Sequence, residues 1–282
     1  MLGTTNILPP YSPLLDEIAR QVATTLTHDD IWEAFVVKTE KEERRLKPIL
    51  VELFNEQEQE VQQTLTALPP PFARRSRESD DYVENTLFKP DEWSFRFQSA
   101  ERPVVEASIE SAALDALREV AQLTEATVGI DFSINNPRPQ ELILQKIQKF
   151  SFEVNDTTLN ELKREFAEGF AAGEGIPQFS KRVEKVFGIA KKSRRDTIAR
   201  TEIIGTVNRG TLLGYQESGV VQGKTWITSR DAKVRDIHVI MDKETVKLGR
   251  KFSNGLMHPG DWRGPAGEVI NCRCTMTAVV KE

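Results

Sequence analysis

Cys272 and Cys274 are the only two cysteines of a 282-residue chain that has three histidines. Two of those histidines, His238 and His258, lie in the same last quarter, with Trp226, Trp262 and dense Gly/Pro punctuation. On a strand the two cysteines share one face and Arg273 turns to the other. An unstrained disulfide between positions i and i+2 of a strand is excluded by S–S geometry. Three chemistries stay open. With His238 and His258 the thiolates make a Cys2His2 zinc set able to staple a small domain, although the usual spacing puts two to four residues between the cysteines. Reduced cysteines packed under the neighbouring loop as small hydrophobes fit equally well. The third is a Cys272–His238 nucleophile and base, which requires a lowered thiol pKa and an oriented imidazole.

Asp231, Arg235 and His238 fall at i, i+4 and i+7, one stripe of a helix. That stripe is either a charged relay aiming His238 at a ligand or an ion pair beside a capped histidine. A second constellation is basic. Lys181, Arg182, Lys185, Lys191, Lys192, Arg194, Arg195 and Arg200 have only Glu184 and Asp196 against them. Such a run either neutralises phosphates of double-stranded DNA without reading sequence or is a solvated helix face.

The elements that must position these groups follow from periodicity. Leu14 to Leu26 and a second helix from about Ile31 to Leu68 are expected, the second opened by capping residues Thr27 to Asp30. Leu46, Leu50, Leu53, Gln57, Val61, Thr64 and Leu68 approximate a heptad seam, with a kink or fresh start expected at Pro48. Residues 72–97 read as an irregular excursion pinned by Phe72, Tyr82, Phe88, Trp93, Phe95 and Phe97. Helices are then expected after Pro103, over Gln140 to Phe150, from a capping box at Thr158–Glu161, from Pro177 to Phe187 and from Lys191 to Ser218. Between Gly129 and Pro139, residues 130–134 suit a short extended piece. Past Gly219 the period changes: strands are expected at Lys224–Thr228, Val246–Leu248 and Glu268–Val280, and a short helix over Asp231–Met241.

The expected fold is therefore mainly α, an elongated helical N-terminal region followed by a small α+β C-terminal domain. The divisions are 1–155 (docking), 156–220 (a helical connector carrying the basic helix) and 221–282. With 39% hydrophobic residues the chain buries a core, and no run of apolar residues is long enough for a membrane span. The N-terminal stretch lacks the basic and apolar regions of a secretory signal, so a reducing compartment is expected. The net charge of −5 hides an asymmetry: residues 161–282 hold 22 Lys and Arg against 15 Asp and Glu, while residues 1–160 are strongly acidic. Two faces with different partners suit that division.

The order of residues in the last quarter resembles one family. Arg230, Asp231, Arg235, Asp236, His238 and Asp242 are followed by Ser253, Asn254, Gly255, Pro259, Gly260 and Asp261, then by Glu268, Asn271, Cys272, Arg273 and Cys274. This is similar to the C-terminal domain of phage Mu F-like head morphogenesis proteins, the minor head proteins of tailed phages. One position departs, because the family more often carries an aromatic where this chain has His258. The IARTE and G-Y-x-E-x-G phrases of residues 198–219 extend the resemblance upstream.

The resemblance implies a non-enzymatic minor head protein in the virion. It would sit inside the capsid at the portal vertex, after assembly in the host cytoplasm, and assist assembly, genome packaging and ejection. Implied partners are the portal protein, a major capsid or scaffolding protein and double-stranded DNA contacted non-specifically through Lys181, Arg182, Lys185, Lys191, Lys192, Arg194 and Arg195; no membrane is implied. Asp231, Arg235, Asp242, Asn271 and Arg273 are implied as structural motif residues. No cofactor is expected beyond a structural zinc at His238, Cys272 and Cys274. The alternative is a toxin-like or hydrolytic effector using a Cys/His/Asp set, since Mu F-like domains also occur in toxin-like architectures.

Overall fold

The computed structural model describes residues 27–70, 76–124 and 128–280; the helix expected over Leu14 to Leu26 and the expected anchor Phe72 lie outside them. Thr27 caps the first helix, α1 (His28–Ala67), through a reciprocal box with Asp30. At 40 residues it is about 60 Å long. Its buried stripe follows the expected seam through Leu46, Leu50, Leu53, Gln57 and Val61, then passes to Leu65 in place of Thr64 and Leu68.

Pro48 lies inside α1 without ending it, contrary to the expected restart. A mid-helix proline costs about 3 kcal/mol. Leu46 and Leu50, both fully buried on either side of it, each contribute about 1.5–3 kcal/mol by burial and offset that cost. Pro103 is likewise interior to α3 (Pro90–Leu123), flanked by buried Val104 and Val105.

The stretch expected to be irregular is mostly helical. α2 (Ser76–Tyr82) runs into a π turn over Val83–Leu87, and α3 begins at Pro90. Tyr82, Phe88, Trp93 and Phe97 are buried as anchors, whereas Phe95 is exposed. No strand forms at residues 130–134.

α4 (Pro137–Ala171) is continuous through the expected capping box. Thr158 is buried and its hydroxyl donates to the Val154 carbonyl one turn back, so it serves the helix interior rather than a start. Residues 155 and 156 are consecutive residues of this helix. Gly173, with φ 68°, reverses the chain into α5 (Ile176–Ile189). A π turn, Ala190–Arg194, joins α5 to α6 (Arg195–Glu217) in one uninterrupted rod.

Cross-helix pairs give the arrangement. Gln62 meets Ser180 and Glu58 meets Lys191, so α1 runs antiparallel to the rod. Arg102 meets Gln140, and Asn155 meets Ser94, so α3 and α4 are antiparallel. The four long helices thus form an up-down-up-down bundle around Phe54, Phe97, Phe166, Phe179 and Phe187.

The last part is a three-stranded antiparallel sheet, order β2-β1-β3, from β1 (Val221–Ile227), β2 (Thr245–Lys247) and β3 (Thr275–Val280). Two short helices, α7 (Asp236–Ile240) and α8 (Ala266–Val269), complete it. Its own core is Trp226, Met241, Phe252, Leu256, Val269, Cys272 and Cys274. Val221 and Met276 join Ala116, Val120, Leu212 and Tyr215 of the bundle in a second cluster. The fold is mainly α with a small α+β C-terminal domain.

Candidate functional site

The C-x-C segment does not sit in a strand. β3 begins only at Thr275, and Asn271, at φ 58°, turns the chain between α8 and the sheet. This turn, rather than a pleat, sends both sulfurs to one side. His238 Nδ1 lies 3.6 Å from Cys274 Sγ and 3.9 Å from Cys272 Sγ. All three side chains are buried, and the Trp226 ring packs edge-on against the imidazole at 5.2 Å.

Behind the imidazole, Nε2–H donates to the Glu268 carboxylate at 2.9 Å, which also accepts from the Asn254 amide. This carboxylate, thirty residues away in sequence, is the partner that sequence spacing did not supply. The expected relay from Asp231 does not form, because the helix starts at Asp236 and Asp231 pairs with Arg273 instead at 2.5 Å. His258 does not join the sulfurs either. Its Nδ1–H donates to the Pro259 carbonyl, and among the described residues the donor group is His238, Cys272 and Cys274, with ligand atoms all within 4.8 Å of one another. A Cys2His2 set is thereby corrected to Cys2His.

The electrostatics of the group are coupled. Hydrogen bonding from the Cys274 thiol, with His238 beside it, holds Cys272 well below the ordinary thiol range. Cys274 is pushed up by that same bond and by burial, so Cys272 is the sulfur that ionises more readily. Burial alone would lower His238, but Cys272 on one side and Glu268 on the other raise it. The arrangement stabilises a thiolate against an imidazole and offers soft, convergent donors. At 2% exposure of each cysteine, a bulky substrate has no path to the sulfurs.

The motif residues around this centre are structural ties. Arg235 donates to the Ile270 carbonyl, and the Asn271 amide donates to the Thr201 hydroxyl of α6. Asp242 accepts from the Thr228 amide, from Arg230 and from His28 Nε2–H of α1 at 2.9 Å. Trp32, also on α1, donates its indole N–H to the Arg273 carbonyl. Asn208 of α6, fully buried, donates to the Cys274 carbonyl and accepts from Thr275.

The basic stretch is placed on α5, the π turn and α6, largely paired within the chain. Arg182 meets Glu165 and Glu174, Lys185 meets Glu165, Lys191 meets Glu58, Arg194 meets Glu161 and Arg195 meets Asp196. Lys181 and Lys192 are exposed, with no carboxylate partner among the described residues.

Residues 160–277, which span the rod, the sheet and the whole donor group, match the family described as Phage Mu protein F like protein. Over that region, less than half of its length, the chain is similar to the Mu F-like family. It is 24% identical over 155 residues to Minor head protein GP7 of Bacillus phage SPP1, covering 52% of this chain and 48% of that one. It is 28% identical over 152 residues to the NAD(+)--arginine ADP-ribosyltransferase EFV of Enterococcus faecalis, covering 52% of this chain and 30% of the transferase. The chain thus spans about half the length of the first relative and under a third of the second. No solved structure matches. In Mu F-like terms, the motif residues of the last quarter form one folded unit docked on α6 and on the first turns of α1. Among the described residues no helix is long and apolar enough to cross a membrane.

Proposed function

We propose that this Mu F-like protein is a non-enzymatic minor head protein of a tailed phage, carried in the virion at the portal vertex inside the capsid. The observation that carries the reading is the Mu F-like match over residues 160–277, seated in a single folded unit and accompanied by similarity to a minor head protein. The likeness to a transferase covers less than a third of that enzyme, and the buried Cys/His group is a poor nucleophilic site. In this reading the helical bundle docks on the portal protein or on a major capsid or scaffolding protein, and assists assembly, packaging and ejection. A reconstruction of the portal vertex from intact heads, computed without imposed symmetry, is expected to show density for the bundle against the portal; density confined to the outer shell would overturn it.

Contact with double-stranded DNA is proposed to be non-specific and shallow. Five of the seven expected basic residues already face carboxylates, which leaves Lys181 and Lys192 as the charges of that set with no carboxylate partner among the described residues. Each phosphate neutralised contributes about −0.9 to the slope of log affinity against log salt. Duplex binding by the purified chain is therefore expected to show a slope near −2. A slope near −6 would mean that the internal ion pairs open onto DNA, and a flat response would remove the DNA contact.

A further inference from the structure

We propose that His238, Cys272 and Cys274 bind one zinc ion, with Glu268 as the positioning residue behind the imidazole. The claim does not depend on the head-protein reading. Zinc–sulfur and zinc–nitrogen bonds of about 2.3 and 2.0–2.1 Å at a tetrahedral angle set nitrogen and sulfur about 3.6 Å apart. The structure has Nδ1 at 3.6 Å and 3.9 Å from the two sulfurs, close to two edges of that tetrahedron, and all three donor atoms lie within 4.8 Å of one another.

A hydrogen-bonding account leaves part of this unexplained. One imidazole lone pair accepts one S–H, yet Nδ1 is directed at two sulfurs together. The opposite ring nitrogen is tied to the Glu268 carboxylate at 2.9 Å, the support that fixes the ring and the tautomer of metal-bound histidines. The left-handed Asn271 is what lets a C-x-C pair converge at all. Two thiolates and an imidazole favour zinc over hard ions such as Mg2+ or Ca2+. The fourth position is left to a donor from outside the side chains of the group, such as water. A staple here joins α7 to the segment after α8, within a small domain whose own buried core is seven side chains, two of them the cysteines themselves.

The test uses the full chain, expressed with zinc supplied and dialysed against metal-free buffer. One tightly held zinc per chain is expected by elemental analysis. Removal by a chelator should lower Tm, and restoring free zinc a hundredfold above Kd should raise it by roughly 5–10 °C. Because Cys272→Ser and Cys274→Ser variants can fail to fold, cobalt reconstitution of the unaltered chain supplies the second readout: thiolate-to-cobalt charge-transfer absorption is expected. Glu268→Gln keeps the shape and should weaken zinc binding about 10–100-fold. A folded chain that retains no zinc and gives no thiolate–cobalt band overturns the site, and unchanged affinity in Glu268→Gln overturns the role of that carboxylate.

Discussion

His238 and His258 are both 1% exposed and are held in opposite tautomers, the first donating through Nε2 to Glu268 and the second through Nδ1 to the Pro259 carbonyl. Burial depresses His258 to about 4; Asp261 opposes that, and Arg209 and Lys224 add to it. A folded-state value below the ordinary one of about 6.5 means that the unfolded chain binds the extra proton first. Stability contributed by neutral His258 is complete above pH 6.5 and is lost as pH falls towards 4. His258→Phe removes the titration and keeps an aromatic ring in the buried space. Between pH 7 and pH 5 the unaltered chain is expected to lose about 2 kcal/mol more than the variant in denaturant titrations; equal losses would mean that His258 is protonated in the native state. At this scale the sequence disclosed residue types but not partners. The thirty residues between His238 and Glu268 cross a strand, a loop and a helix, and no local period links them.

Between elements, the closest approach is that of α3 and α6. A Cβ at Gly210 would lie 2.5 Å from the Ile109 carbonyl oxygen, and one at Gly214 would lie 2.4 Å from that of Ala113. These are backbone atoms of a packed helix and have nowhere to go. Alanine is favoured over glycine in an exposed helix by about 1 kcal/mol, so Gly210→Ala and Gly214→Ala test packing against propensity. Each is expected to destabilise by about 1–3 kcal/mol through overpacking, read as a fall in denaturation midpoint; a rise would show that the two helices are free to separate. The helices themselves were legible where local signals agreed, as in the Thr27–Asp30 cap and the Leu46–Val61 stripe. They were misread at Pro103 and Thr158, where a local start signal falls inside a longer helix, and of the two outcomes expected at Pro48 the fresh start does not occur. The C-x-C strand was misread for the converse reason. Alternation suggested a pleat, while a left-handed Asn271 delays the strand to Thr275.

Across the whole molecule, α1 fastens the last domain as well as the bundle. Burial would raise Asp242, but the Thr228 amide, His28 and Arg230 outweigh it and hold the carboxyl at about 2. A depressed carboxyl contributes stability above its ordinary value of about 3.9 that is lost as pH falls through 2. Asp242→Asn is therefore expected to cost about 2 kcal/mol at neutral pH, with the penalty vanishing in acid; a penalty independent of pH would assign the effect to shape alone. The mainly α architecture and the late α+β unit were readable from the change of period at Gly219. The clamp between the two was not, because His28 and Asp242 are brought together only by the finished fold. The indole of Trp32 on the Arg273 carbonyl spans 241 residues of chain. Closing so long a loop is among the slowest kinds of contact to form. The leading turns of α1 can gain this fastening only once residue 273 has left the ribosome, however early the rest of that helix is made.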